Sequence, residues 1–250
     1  MASPRKLNLS RGPADPSGVR VDDLVLVQGM KESRTALARW QQAPFQVVGP
    51  WLAVSALITV GLLLVILVIA TASEPDSTRF AIPGLNVPAT GTEYLHVLYR
   101  NALVLALHAM ACVAGFIAGS SLPLSAANRS GLDRWVHEKA GPLAIGFVVC
   151  ATTFSLITQA FSIGAGASTL AAQLGISPGM LLLGLLPHAL PELIALFLPL
   201  GAWLLASRRR QWDELLAATA VTVSVAVPVM LVSAAIEIWV SPELLRALAT

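Results

Sequence analysis

Charge is what this 250-residue chain most lacks: Asp, Glu, Lys and Arg make up 12% of it, against about 25% in a soluble domain. With 56% hydrophobic residues and a mean hydropathy of +0.73, that shortage excludes a water-borne globule and marks an integral membrane protein. The formal net charge of +2 gives no ground for a nucleic-acid partner. Cysteine is nearly absent as well. Cys112 and Cys150 stand singly in apolar runs, so they read as small buried hydrophobes, with no disulfide framework or thiolate metal site. The chain has no HExxH pair, no GxSxG elbow and no Walker-type phosphate loop, which excludes those hydrolase and ATP-driven classes. An ATPase would have to be a partner. No apolar run precedes Trp51, so the first span is expected to act as an uncleaved anchor.

What is present is a succession of apolar runs of membrane-spanning length. The expected fold is all-α, a polytopic transmembrane bundle of five spans at about 51–71, 101–122, 142–163, 178–206 and 215–240. Residues 1–50 form a separate tail. Its first twenty hold Pro4, Gly12, Pro13, Pro16 and Gly18 among polar residues, a composition that cannot bury enough apolar surface to order itself. Residues 22–42 suit a helix with a partial apolar face of Leu24, Val27, Leu37 and Trp40, either lying on the membrane surface or serving as a polar lead-in. The connection 72–100 has room for a short surface helix around 93–100. In the second span Gly115 and Gly119 offer a small-residue face for close helix packing. Residues 164–177 carry no charge and many small side chains, which fits an external turn or a re-entrant piece.

Basic residues set the expected orientation. Seven of sixteen precede the first span, three (Arg129, Arg134, Lys139) lie between the second and third, and three (Arg208, Arg209, Arg210) between the fourth and fifth. The other side receives only Arg79, Arg100 and Arg246, so the N-terminus is expected in the cytoplasm.

The fourth span, around 185–201, reads LLPHALPELIALFLPLG and concentrates the chemistry. An ionisable group near the bilayer centre costs roughly 2.5–3.5 kcal/mol on insertion scales, so it normally faces other helices or a wet cavity. His188 and Glu192 are four apart and share a helical face. Pro187, Pro191 and Pro199 in this span, and Pro228 in the fifth, each remove a backbone donor and are expected to bend their helices. At about 1.5 Å per residue, His108, His188, Glu192 and Glu237 all fall at or above the middle of the membrane. They form a candidate polar cluster in the outer half, with Glu192 near the midplane. Such a cluster can simply hold helices together, relay protons or ions, or seat a head group. A metal site from His108, His188 and Glu192 has suitable ligand types but no motif behind it.

The strings PHALPELIAL at 187–196 and SAAIEIWVSP at 233–242, with Gly201 and the basic turn between them, resemble the stage II sporulation protein M family of bacterial membrane proteins. Asn101 resembles the Asn that opens the corresponding family helix. Two departures stand out: Ala189 replaces a Gly after the His, and Phe161, Ser162, Ile163 and Gly164 stand where an Asn-Gly pair is expected. The resemblance implies a multi-pass protein of the bacterial inner or plasma membrane. Its implied role is a non-enzymatic scaffold or anchor for cell-envelope, peptidoglycan-remodelling proteins, without catalytic residues, metal or cofactor. The expected partners are the lipid bilayer and other membrane or envelope proteins, with a homo-oligomer as a further expectation. The alternative is a permease-like transporter subunit with a proton-sensitive outer-half cavity. That reading uses the same midplane carboxylate but, with five helices and no visible repeat, needs oligomerisation.

Overall fold

The computed structural model describes residues 25–121 and 131–249, so the expected loose tail at 1–20 lies outside the described residues. Among the described residues seven α-helices run in order: α1 (Val25–Trp40), α2 (Pro44–Ala72), α3 (Gly91–Phe116), α4 (Gly131–Leu174), α5 (Pro178–Arg209), α6 (Leu215–Trp239) and α7 (Ser241–Leu248). A π-helical turn, Ile117–Ser121, extends α3, and a 3-10 turn, Trp212–Glu214, leads into α6. Five of these segments are long and apolar enough to cross a membrane: Pro44–Ala72, Gly91–Gly119, Ile145–Leu174, Pro178–Arg209 and Trp212–Trp239. The fold is all-α and multi-pass.

Burial follows the helical repeat. Along α2, Trp51, Ser55, Thr59, Leu62, Ile66 and Ala70 recur every three or four residues and are buried, while Leu57, Leu64 and Val68 are exposed. One stripe meets protein and the other suits lipid. The central element is α5, which packs against α2, α3, α6 and α7. Two close approaches explain its position. At Gly201 an added Cβ would lie 2.7 Å from the Trp51 carbonyl and 2.7 Å from Ser55 Oγ, so only glycine lets α2 and α5 touch there. The Gly115 and Gly119 face does receive neighbours: Trp203 and Leu215 against the first, Trp212 against the second.

Several boundaries differ from the sequence reading. The surface helix expected at 93–100 is the first part of α3, which starts at Gly91 behind a Thr90 cap whose side chain accepts from the Glu93 N–H at 3.3 Å. With no proline after Pro88, nothing interrupts that helix before the membrane. Residues 164–174 are neither an external turn nor re-entrant; they complete α4, and only Gly175, at φ +69°, breaks the run before Ser177 caps α5. Their small side chains serve packing instead, Gly164 lying against Ile69. The stretch between the second and third expected spans is helical from Gly131 onward, and 122–130 lie outside the described residues.

Helix α1 neither lies free on a surface nor acts as a plain lead-in. Its buried Ala36 and Trp40 pack with Trp51, Leu198, Ala202, Ala217 and Ala218, and Gly29 admits Phe116 and Leu216. It is therefore docked on the end of the bundle that carries Arg39, Arg208, Arg209 and Arg210. At the opposite end, the connection 73–90 is laced to the end of α4. Ser168 Oγ donates to the Ser73 carbonyl (2.8 Å), the Asp76 N–H donates to Thr169 Oγ1 (3.1 Å), and Gln173 bonds both backbone groups of Phe80. Helix α7 closes this end, with Leu245 filling the gap beside Gly184.

Candidate functional site

All five spanning helices contribute to a cavity of about 330 Å³ in the half away from the basic end. Helix α2 supplies Leu63 and Ile66, five to eight residues before Thr71, which places the cavity about 8–12 Å below the end of that apolar run. Most of the wall is aliphatic. The polar lining comes from Arg100 and Asn101 on α3, His188 and Glu192 on α5, and Glu237 on α6. Three of the four expected cluster residues are thus brought together.

Each polar group has a distinct setting. His188 is buried and shares a 2.7 Å hydrogen bond, through Nδ1, with the buried Ser241 Oγ at the start of α7. That contact ties the closing helix to the central one. Glu192 and Glu237 lie within electrostatic reach of each other, and Arg100 within reach of Glu237. Arg100 therefore offsets one of two facing carboxylates. Glu192 Oε2 and the amide nitrogen of Asn101 are both buried without a well-formed hydrogen bond among the described residues, although the Asn101 side chain lies close enough to act on the Glu192 carboxylate. A buried acid and a buried amide set side by side in one apolar-walled space, each with hydrogen-bonding capacity to spare, make it a receptive site for a small polar group.

His108 is not part of this cavity, a correction to the expected cluster. It lies two turns further along α3 than Asn101, about 10 Å deeper. There its ring packs edge-on against Phe197, centroids 5.3 Å apart, and lines a separate, mostly apolar groove of about 260 Å³ beside Thr152 and Ser155 of α4. Among the described residues no group of three His, Cys, Asp or Glu is arranged to hold a metal.

The prolines do not interrupt their helices: α5 runs continuously through Pro187, Pro191 and Pro199, and α6 through Pro228. Carbonyls along α5 find partners on neighbours. Ser55 Oγ of α2 donates to the Phe197 carbonyl (3.1 Å) and Cys112 Sγ of α3 to the Pro199 carbonyl (3.1 Å). Two functional candidates escaped the sequence reading. Arg100 was assigned to a surface helix outside the second span, although its place directly before Asn101 in an unbroken run was a signal. Ser241 stands inside the 233–242 string that carries the resemblance, but the string alone gives it no partner; Ser-Pro-Glu is a helix-start pattern that signals the element it opens.

Fold and cavity together define a multi-pass α-helical membrane protein with a polar pocket in one half of its span. Residues 140–242 match the sequence model described as stage II sporulation protein M, which supports the likeness read from the two strings. His188, Glu192, Glu237 and Ser241 fall inside the matched segment, while Arg100, Asn101 and His108 fall outside it. No curated protein and no solved structure matches the chain.

Proposed function

We propose that the protein is a non-enzymatic scaffold or anchor of the bacterial inner or plasma membrane, holding cell-envelope, peptidoglycan-remodelling proteins from its outer half, with the basic end in the cytoplasm. One observation carries this reading over transport: the cavity is blind. On its inner side it meets a packed layer of Cys112, Phe116, Phe197, Leu200, Trp203 and Leu215, all buried. The helix segments 51–62, 105–119, 145–160, 195–206 and 215–230 that build the inner half contain His108 and no Asp, Glu, Lys or Arg. A charged solute would meet no carboxylate, lysine or arginine along that stretch.

The blind pocket suits capture, in which a polar side chain or terminus of a partner reaches Glu192, Asn101 and Arg100 from the outer face. The permease alternative draws support from the facing Glu192 and Glu237 alone. Affinity purification of the full chain and of Glu192→Gln from native membranes, with partners identified by mass spectrometry, tests the proposal. Recovery of the same envelope proteins with the wild type, at lower yield or unchanged with the variant, is the expected result. Recovery of an ATP-hydrolysing subunit in their place would move the permease reading to the front.

A further inference from the structure

A second cavity, of about 340 Å³, opens at the basic end between α1, the start of α2, the end of α5 and the start of α6. Its chemistry differs from that of the outer pocket. Trp40 and Trp51 meet edge-on, with centroids 5.3 Å apart and an interplanar angle of 80°, and form its aromatic wall. Trp51 also opens the apolar run of α2, so this wall sits at the depth where tryptophan marks a membrane interface. Next to it on α2, Phe45 is 87% exposed and Leu52 is exposed too, a surface suited to lipid and not to water.

The polar side of the cavity is built to hold an anion. Two guanidinium groups, Arg39 and Arg209, face one carboxylate, Glu214. Arg39 is ion-paired with Glu214, and Gln211 Nε2 donates to the same Oε1 at 3.5 Å, so the acid is already matched. Arg209 has no ion-pair partner among the described residues, and the exposed Arg208 and Arg210 flank it. The start of α2 lies beside it: Ala43 and Gln46 line the cavity, and no side chain caps that helix. Since Pro44 carries no N–H and the Gln46 N–H donates to the Ala43 carbonyl, that end contributes its dipole more than free donors.

We propose that this cavity seats the phosphodiester headgroup of an anionic phospholipid from the leaflet at the basic end. Arg209 holds the phosphate beside the positive end of α2, the amide of Gln46 meets a headgroup hydroxyl, and the acyl chains follow the exposed apolar face of α2 beyond Trp51. A guanidinium matches phosphate oxygens in a bidentate fork, and basic pockets between helices at the cytoplasmic side are suited to such headgroups. Free phosphate satisfies the same cation but leaves the tryptophan wall and Phe45 unused, which is why the assignment is to lipid. The inference is independent of what the outer cavity binds.

The test uses the full chain purified in mild detergent. Thermal unfolding is followed with added phosphatidylglycerol, phosphatidylcholine, glycerophosphate or inorganic phosphate, and lipid retained after delipidation is counted by native mass spectrometry. Phosphatidylglycerol alone should stabilise the protein and remain bound. Arg209→Gln, an exposed position whose loss does not threaten folding, should retain it about fivefold more weakly, the effect of one interfacial arginine, while Arg208→Gln should lose clearly less. Equal losses in the two variants would overturn the pocket in favour of general surface charge. Equal stabilisation by inorganic phosphate or by phosphatidylcholine would overturn the lipid assignment.

Discussion

Glycine at 201 and glutamate at 192 act in opposite ways on the same helix. The first permits contact between α2 and α5, and a Gly201→Ala side chain would press on the Trp51 carbonyl, a backbone atom that cannot step aside. Overpacking of this kind costs about 1–3 kcal/mol, so a clear drop in thermal stability in detergent is expected. The second faces a cavity with one oxygen unmet. Glu192→Leu is expected to fold at wild-type yield, because removing a buried acid relieves its desolvation, whereas collapse of expression would mark the carboxylate as a structural strut. His188→Ala removes the bond to Ser241, worth about 1 kcal/mol, and faster hydrogen exchange confined to α7 is the expected readout. Outside the spans, burial first and the charge of Asp213 second hold Glu32 above the usual carboxylate value. A raised acid binds its proton more tightly in the folded chain, so its ionisation opposes folding once pH passes the unfolded value of 4.5. Glu32→Gln should therefore raise the melting temperature at neutral pH and leave it unchanged near pH 4.

The elements show what patterning conveys and where it stops. Apolar length alone marks the five spans, since few other arrangements satisfy every backbone group in lipid. Their ends are less legible. Thr90 and the unbroken run behind it begin α3 at Gly91, but Glu93, His96 and Arg100 looked like surface, because periodicity cannot say which face of a helix is sheltered by others. Residues 164–174 seemed too small-residued and glycine-rich for a helix, yet the connection 73–90 folds back on them, and those tertiary bonds outweigh weak local propensity. That connection also holds Asp76 below the usual carboxylate range through hydrogen bonds from Thr78, side chain and then backbone. The stabilisation is present above the ordinary value of 3.8 and fades as pH falls through the lowered folded value. Asp76→Ala should loosen 73–90 at neutral pH, visible as faster amide exchange there, with α2 to α6 unchanged.

At the scale of the whole molecule, the outer pocket was partly legible. His188 and Glu192 announced themselves as ionisable groups one turn apart in lipid, and Glu237 as an acid closing the last span. Arg100 and Ser241 were not, since what makes them part of the site is the convergence of α3 and α7 on α5. His108 was legible as an intramembrane histidine but not as an outlier, because its distance from the pocket depends on the direction in which α3 faces Phe197. The molecule so assembled has two unlike ends: a basic one closed by α1, with a tryptophan-walled pocket, and an opposite one closed by α7 over a blind cavity with two acids. Blindness separates a scaffold from a permease. The most direct measurement is therefore proton and cation flux into liposomes holding the purified full chain, with a pH-sensitive dye inside, beside matched liposomes holding Glu192→Gln. The expected result is no flux above protein-free liposomes for either protein. Flux with the wild type that disappears in Glu192→Gln, with folding intact, would contradict the account.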